Sequence, residues 1–415
     1  NTTGTNNTFI GGSAGNGIIN RNDHTFVGYR AGTNIRAGTQ STIIGSHAGY
    51  DPKGATYSGS YNLFAGYGAG QHIGGDNVVA LGAYAGYYTT GSSNTFVGKQ
   101  AGYGGTTSAP YSSGENNVVL GYEALKVFTT GTKNAILGYR AGYSTTTGFS
   151  NVYLGYQAGY RNTTGRGNVA VGSNAQQGVS GQTTGQYNVS LGENSLFGLT
   201  TGNHNFAVGS NAGFSLTSGE HNVIIGSAAG DALTTTSNAI MIGRDAGTNI
   251  NSADANGTVL IGINAGAALT SGAKNTVVGY QAGYKITDSN NITYIGYGAG
   301  YYATGAHNTA VGTEAYLGVD GSTTGTDNSI FGYNAGHDLT TGHSNVLMGR
   351  DAGQNLTSGY QNIIIGPDAG ETATNLQNAI LIGKRAGQDI NSGVHGTIAI
   401  GTDALTSLTS GAGNT

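Results

Sequence analysis

The sequence predicts an all-β fold, a parallel β-solenoid of about 23 short coils, and three observations carry that expectation. Glycine supplies 77 of 415 residues, while proline supplies only 3 and charged residues 9%. Gly weakens helix and strand interiors, so glycines at this density belong at turns and close backbone approaches. Low charge and little proline also separate the chain from disordered linkers. The second observation is a unit that recurs most often every 17 residues. The third is a set of three-residue apolar runs such as Val118–Leu120 and Ile363–Ile365. They are too short and too Gly-bounded for helix, and their β-branched content favours strand.

Each unit reads Asn, three mostly apolar residues, Gly, two variable residues, Ala, Gly, then a polar stretch often containing Thr-Thr-Gly. Asn134-Ala-Ile-Leu-Gly138-Tyr-Arg-Ala141-Gly142 and Asn222-Val-Ile-Ile-Gly226-Ser-Ala-Ala229-Gly230 are clear copies. The motif glycine recurs 23 times, from Gly11 to Gly401. The apolar run supplies the strand, and the Gly, Ala-Gly and Thr-Thr-Gly segments supply the turns. Asn precedes the Gly by four residues in most copies and is expected to form a stacked side-chain ladder. In the copies at Asn77, Asn238, Asn291 and Asn378 it precedes the Gly by five, which predicts a β-bulge.

A longer period overlies the first. From Gly121 onward, Gly192, Gly262, Gly332 and Gly401 follow at intervals of 71, 70, 70 and 69 residues. Alternate junctions match at 140 residues, as Gly178–Gly185 resembles Gly318–Gly325 and Ile250-Asn-Ser resembles Ile390-Asn-Ser. The Gly that follows Ala is replaced by Leu125, Gln176, Leu196, Tyr316 and Leu405, always beside such a junction. Residues 1–415 therefore read as one continuous repeat array. Both ends, Asn1-Thr-Thr-Gly4 and Asn414-Thr415, fall inside the pattern, as in a segment of a longer array.

Energetics require the coils to stack. One coil buries about three side chains, worth ~1.5–3 kcal/mol each. Ordering its backbone costs roughly 17 kcal/mol. Stacked copies share hydrogen bonds and apolar layers, at ~4.8 Å per rung. The residue immediately before each Gly is expected to point into the coil. The middle residue of the run (Phe9, Phe26, Ile43, Phe64, Phe96, Ile364) is expected to point outward. Such an outward stripe exceeds what soluble monomers expose, which predicts a homo-oligomer, most simply a parallel trimer.

Composition excludes several functions. A net charge of −4 leaves no basic footprint for nucleic acid. No apolar run is long enough to span a membrane. With no cysteine, disulfides, zinc–thiolate sites and thiol nucleophiles are all excluded. The 16 basic and 20 acidic residues recur at no dyad spacing, and His24, His47, His72 and His221 do not cluster. No catalytic residue, metal ligand or cofactor is expected, and the chain is not read as an enzyme.

Tyrosine is the residue class with an outward role. Tyr139, Tyr156, Tyr280 and Tyr297 directly follow motif glycines, and Tyr143, Tyr160, Tyr284 and Tyr301 follow Ala-Gly pairs. Stacking would align them as aromatic ladders. These serve either packing between rungs and chains or contact with glycans and surfaces.

The Asn-x-apolar-apolar-Gly-x-x-Ala unit resembles the head repeats of YadA-like trimeric autotransporter adhesins, and Asn168-Val-Ala-Val-Gly172-Ser-Asn-Ala175 is the nearest copy. The longer spacing and the Ala-Gly-Tyr ending are similar to repeats of bacterial and phage tail-fibre-domain proteins. The resemblance covers nearly the whole chain. It implies a trimeric, left-handed parallel β-roll. The role expected is an extracellular or cell-surface fibre shaft, or a virion tail fibre, self-associating and able to join end to end into filaments. The alternative is an adhesin holding host glycans on its Tyr-rich ladders or junction loops.

Overall fold

A computed structural model describes residues 4–35, 38–52, 59–105, 111–179, 181, 183–390, 394–408 and 413. The terminal residues 1–3 and 414–415, parts of the junctions at 178–185 and 390–392, and the other undescribed positions lie outside that set. The chain is all-β, a parallel β-solenoid that divides into two compact units, Asn1–Ser210 and Asn211–Thr415. Among the described residues the first unit holds twelve three-residue strands, from β1 (Thr8–Ile10) to β12 (Phe206–Val208). The second holds eleven, from β13 (Val223–Ile225) to β23 (Ile398–Ile400). Among the described residues the one helical element is a 3-10 turn, Ala253–Ala255, capped by Ser252 in a junction loop.

Within each unit successive strands pair in parallel and in register. Ala135, Ile136 and Leu137 face Val152, Tyr153 and Leu154, and Ile380, Leu381 and Ile382 face Ile398, Ala399 and Ile400. The stacking expected from the repeat is therefore present in both units.

The inside and outside of the strand are reversed relative to the sequence expectation. The middle residue is the buried one: Phe26, Ile43, Phe64, Phe96 and Ile364 are all fully enclosed. The first and third residues face outward, with Val118 57% and Leu120 42% exposed. Successive strand side chains point to opposite faces, so only one of the two sets reaches the interior. The interior takes the middle residue because the facing Ala-Gly turn leaves a hole there.

Two glycine positions make that geometry possible. The motif glycines adopt φ near +130°, and a Cβ on Gly28 would approach the carbonyl oxygen of Gly45 to 2.7 Å. The next rung thus excludes any side chain at this position, which explains a Gly in every copy. The Gly after Ala adopts the left-handed conformation beneath the middle strand residue. A Cβ on Gly70 would lie 2.7 Å from the Phe64 ring, and one on Gly159 would lie 2.7 Å from Tyr153.

The replacements of that second Gly follow a volume rule. Leu125, Gln176, Leu196, Tyr316 and Leu405 all keep φ between +48° and +52°. The strand residues facing them are Val119, Ala170, Ser190, Ala310 and Ala399, all small. At these five rungs a large residue in the Gly position faces a strand residue no larger than valine, which conserves core volume as close packing demands. A further interior position completes the core at Ile18, Ile73, Phe128, Leu216, Leu269 and Leu356.

The asparagine ladder is present. In the first unit the Asn134 backbone N–H and side-chain amide both donate to Asn117 Oδ1, at 3.1 and 3.0 Å, and the amide also reaches Gly148 O at 3.0 Å. Asn151 repeats this on Asn134. In the second unit Asn328, Asn345 and Asn362 do the same. The buried amides of these ladder asparagines are thereby satisfied by the rungs above and below. The expected bulge is absent. In the shifted copies Val78, Ala239, Ile292 and Ala379 occupy the ladder position, buried, and still donate their N–H to the preceding Asn. Asn77, Asn238, Asn291 and Asn378 instead take left-handed turn positions, with φ of 55–58°, a conformation Asn tolerates.

Candidate functional site

The predicted tyrosines form ladders within each unit. Tyr139 stacks on Tyr122 and Tyr156 at 5.3 Å, and Tyr143 stacks on Tyr160 at 5.2 Å. In the second unit Tyr280 stacks on Tyr297 at 5.4 Å and Tyr284 on Tyr301 at 5.0 Å. The rung repeat sets these spacings, because equivalent residues of adjacent rungs sit one strand separation apart. The four tyrosines after motif glycines are exposed; the four after Ala-Gly pairs are half-buried. Arg140 lies between the two first-unit ladders, 5.3 Å from the Tyr139 ring and 5.8 Å from that of Tyr143. Its guanidinium also meets Glu123 at 2.7 Å, and Lys126 meets the other Glu123 oxygen at 2.6 Å. Burial pushes the Glu123 carboxyl up, but the two hydrogen-bonded cations outweigh it and hold the group below its ordinary value.

Grooves open where the half-buried tyrosines meet the junction loops. In the first unit Gln157, Tyr160, Arg161, Gln177, Gly178, Val179 and Phe197 line an open groove of about 460 Å³. In the second, Gln281, Tyr297, Gly298, Tyr301, Tyr302, Glu314 and Leu317 enclose about 190 Å³. The two grooves share a backbone frame. Arg161 N donates to Gln177 O at 2.9 Å, and Tyr302 N donates to Leu317 O at 2.9 Å. Burial and its tyrosine neighbours, Tyr302 first, raise the Tyr301 phenol, which stays a neutral hydrogen-bonding group.

Sequence reasoning named Tyr160, Tyr297 and Tyr301 but missed Arg161, Gln157, Gln177 and Phe197, which the ladder pattern does not mark. It also missed an aromatic cluster in the first unit. There Tyr87 packs on Tyr103 at 5.2 Å, Tyr88 at 4.5 Å and His72 at 5.3 Å, with Tyr111 4.9 Å from His72. The sequence signal was the shorter spacing of 16 residues from Gly66 to Gly82 to Gly98, together with the adjacent Tyr87 and Tyr88. Among the described residues no group of three or more His, Asp or Glu side chains could hold a metal, and no helix is long and apolar enough to cross a membrane.

Fold and surface together define a β-solenoid repeat protein with aromatic ladders and junction grooves. No family model matches the chain, and no curated protein matches its sequence.

Proposed function

We propose that the chain is the shaft of an extracellular fibre, built from parallel copies that associate through the outward strand face, most simply as a homotrimer. The observation that carries this reading is the repeated apolar surface of the ladder. Val118, Leu120, Leu137, Val152 and Leu154 are exposed on three consecutive rungs of the first unit, and Met348, Ile363, Ile398 and Ile400 are exposed on three of the last four strands of the second. A patch of this kind is far from what soluble monomers leave in water. A second copy is the partner that fits best, because only a surface with the same rung spacing meets every rung alike.

Sedimentation equilibrium tests the reading. Three copies of the 41.7 kDa chain are expected, and Leu137→Lys with Leu154→Lys should dissociate them while the β signature persists. A monodisperse species at the mass of one chain, unchanged by those substitutions, would sink it.

A second reading, a surface adhesin that holds glycans, is favoured by the grooves beside the tyrosine ladders. Aromatic faces set against hydrogen-bonding side chains are the usual construction of small-ligand sites.

A further inference from the structure

We infer that the first-unit groove binds a carboxylate-bearing sugar, with Arg161 taking the carboxylate and Tyr160 the apolar face of the ring. This rests on the adhesin reading and assigns it a site and a ligand class.

Arg161 is half-buried, and its guanidinium makes no ion pair among the described residues. No carboxylate lines the groove. The residue is nevertheless fixed in place. Its N–H donates to Gln177 O at 2.9 Å and its carbonyl accepts from Thr183 N–H at 3.2 Å. Gly178 lies so close that an added Cβ would meet Arg161 Cβ at 3.0 Å. Its backbone and the root of its side chain are thus fixed at the groove, and a half-buried guanidinium without an acid partner offers a planar carboxylate two parallel hydrogen bonds.

The surrounding groups fit the rest of a sugar. Tyr160 is steadied from one side by Tyr143 at 5.2 Å and forms a wall of the groove, with Val179 and Phe197 completing the apolar lining. Gln177 Nε2 donates to Gln157 Oε1 at 2.5 Å and to Asn174 Oδ1 at 3.3 Å. That leaves the Gln157 amide N–H groups and the Gln177 carbonyl for sugar hydroxyls. The open groove's volume of about 460 Å³ is large enough for a small ligand.

The second unit supplies the internal control. On the same frame Tyr302 replaces Arg161, Leu317 replaces Gln177, and the acidic Glu314 joins the lining. A carboxylate there would find no cation and would be repelled.

The test uses the full 415-residue chain, with sialyllactose, lactose and sulfate titrated separately and followed by ligand-observed NMR and calorimetry. Sialyllactose should bind and lactose should bind at least tenfold more weakly, because the charge-assisted bonds are lost. Arg161→Tyr should abolish the preference without disturbing the fold, since Tyr302 already occupies that frame. Tyr160→Ala should weaken sialyllactose several-fold, and Arg161→Lys should retain only part of the affinity. Sulfate competing on equal terms with sialyllactose would reduce the site to an anion contact and overturn the inference. Lactose binding as well as sialyllactose, insensitive to Arg161→Tyr, would overturn it while leaving the adhesin reading intact. Binding of neither sialyllactose nor lactose would overturn the inference.

Discussion

The rungs around Tyr153 in the first unit and around Tyr294 in the second share one backbone and fill it differently. Tyr153 is buried, and its hydroxyl accepts a hydrogen bond from the Asn162 side-chain amide. Tyr294 is equally buried, but Ala303 stands in the place of Asn162, and the Tyr294 hydroxyl donates instead to Ala303 O at 3.4 Å. On the following rung Ala170 faces Gln176 in the first unit and Ala310 faces Tyr316 in the second. The Tyr316 hydroxyl donates to Gly325 O at 3.0 Å, whereas Gln176 Oε1 is buried without a partner. The difference carries outward, since Arg161 and Gln177 precede and follow that interior in one unit, Tyr302 and Leu317 in the other. The lesson is that the glycine and asparagine columns fix the coil, and the interior volume at each rung is then shared between whichever side chains are available.

The largest test of that idea is Tyr316→Ala. Tyr316 is fully enclosed, and its ring lies edge-on to Tyr294 at 6.4 Å. With Ala310 opposite, nothing fills the space the ring leaves, so the local cost should be about 3–5 kcal/mol. Native-state hydrogen exchange at Thr309 and Ser329 amides should show the loss confined to neighbouring rungs, as stacked repeats require. The double substitution Ala310→Leu with Tyr316→Ala should recover part of it, because volume returns from the opposite wall. No recovery would break the shared-volume account.

A smaller effect separates the two ways of satisfying a buried phenol. Asn162→Ala removes the partner of Tyr153 and the acceptor for Gly165 N–H, which Asn162 Oδ1 holds at 2.9 Å. The expected cost is about 1–3 kcal/mol at that rung, read from the exchange of the Gly165 amide and the protection of Val152–Leu154. A cost near zero would mean that Tyr153 turns to the backbone as Tyr294 does.

Most of this architecture was legible in the sequence, for a physical reason. Gly28, Gly45 and their counterparts are dictated by backbone meeting backbone, an interaction no side chain can replace, so the period survives every substitution around it. The Asn column is legible for the same reason, since Asn134 bonds its own type above and below. Strand polarity was misread because Val118, Val119 and Leu120 are all apolar, and hydrophobicity alone does not orient a three-residue run. The orienting signal lay elsewhere, in the pairing of Phe64 with Gly70 and of Ala310 with Tyr316. The bulge was misread because a displaced Asn at 77 or 291 looks like an insertion, whereas it is a turn residue beside an apolar ladder member. Arg161 gave no signal because, unlike its groove neighbour Tyr160, it belongs to no periodic column and its counterpart in the second unit is Tyr302.

The smallest expected effect is a gain. Gln176 is 3% exposed, sits at φ +48°, and buries an acceptor that nothing satisfies. Leu125 and Leu196 occupy the same place in their rungs at φ +48° and +50°, each fully buried against a small strand residue, so leucine is already accommodated by this backbone. Gln176→Leu removes the unpaired oxygen and conserves volume against Ala170, and should stabilise the rung by about 1 kcal/mol. Exchange of the Gln176 amide, which donates to Ser195 O at 2.9 Å, should slow accordingly. Sialyllactose binding should not change, because Gln176 points inward while Gln177, one residue on, lines the groove. Destabilisation would show that the first unit keeps its glutamine for an interior contact of its own, and that the two interiors differ in kind as well as in filling.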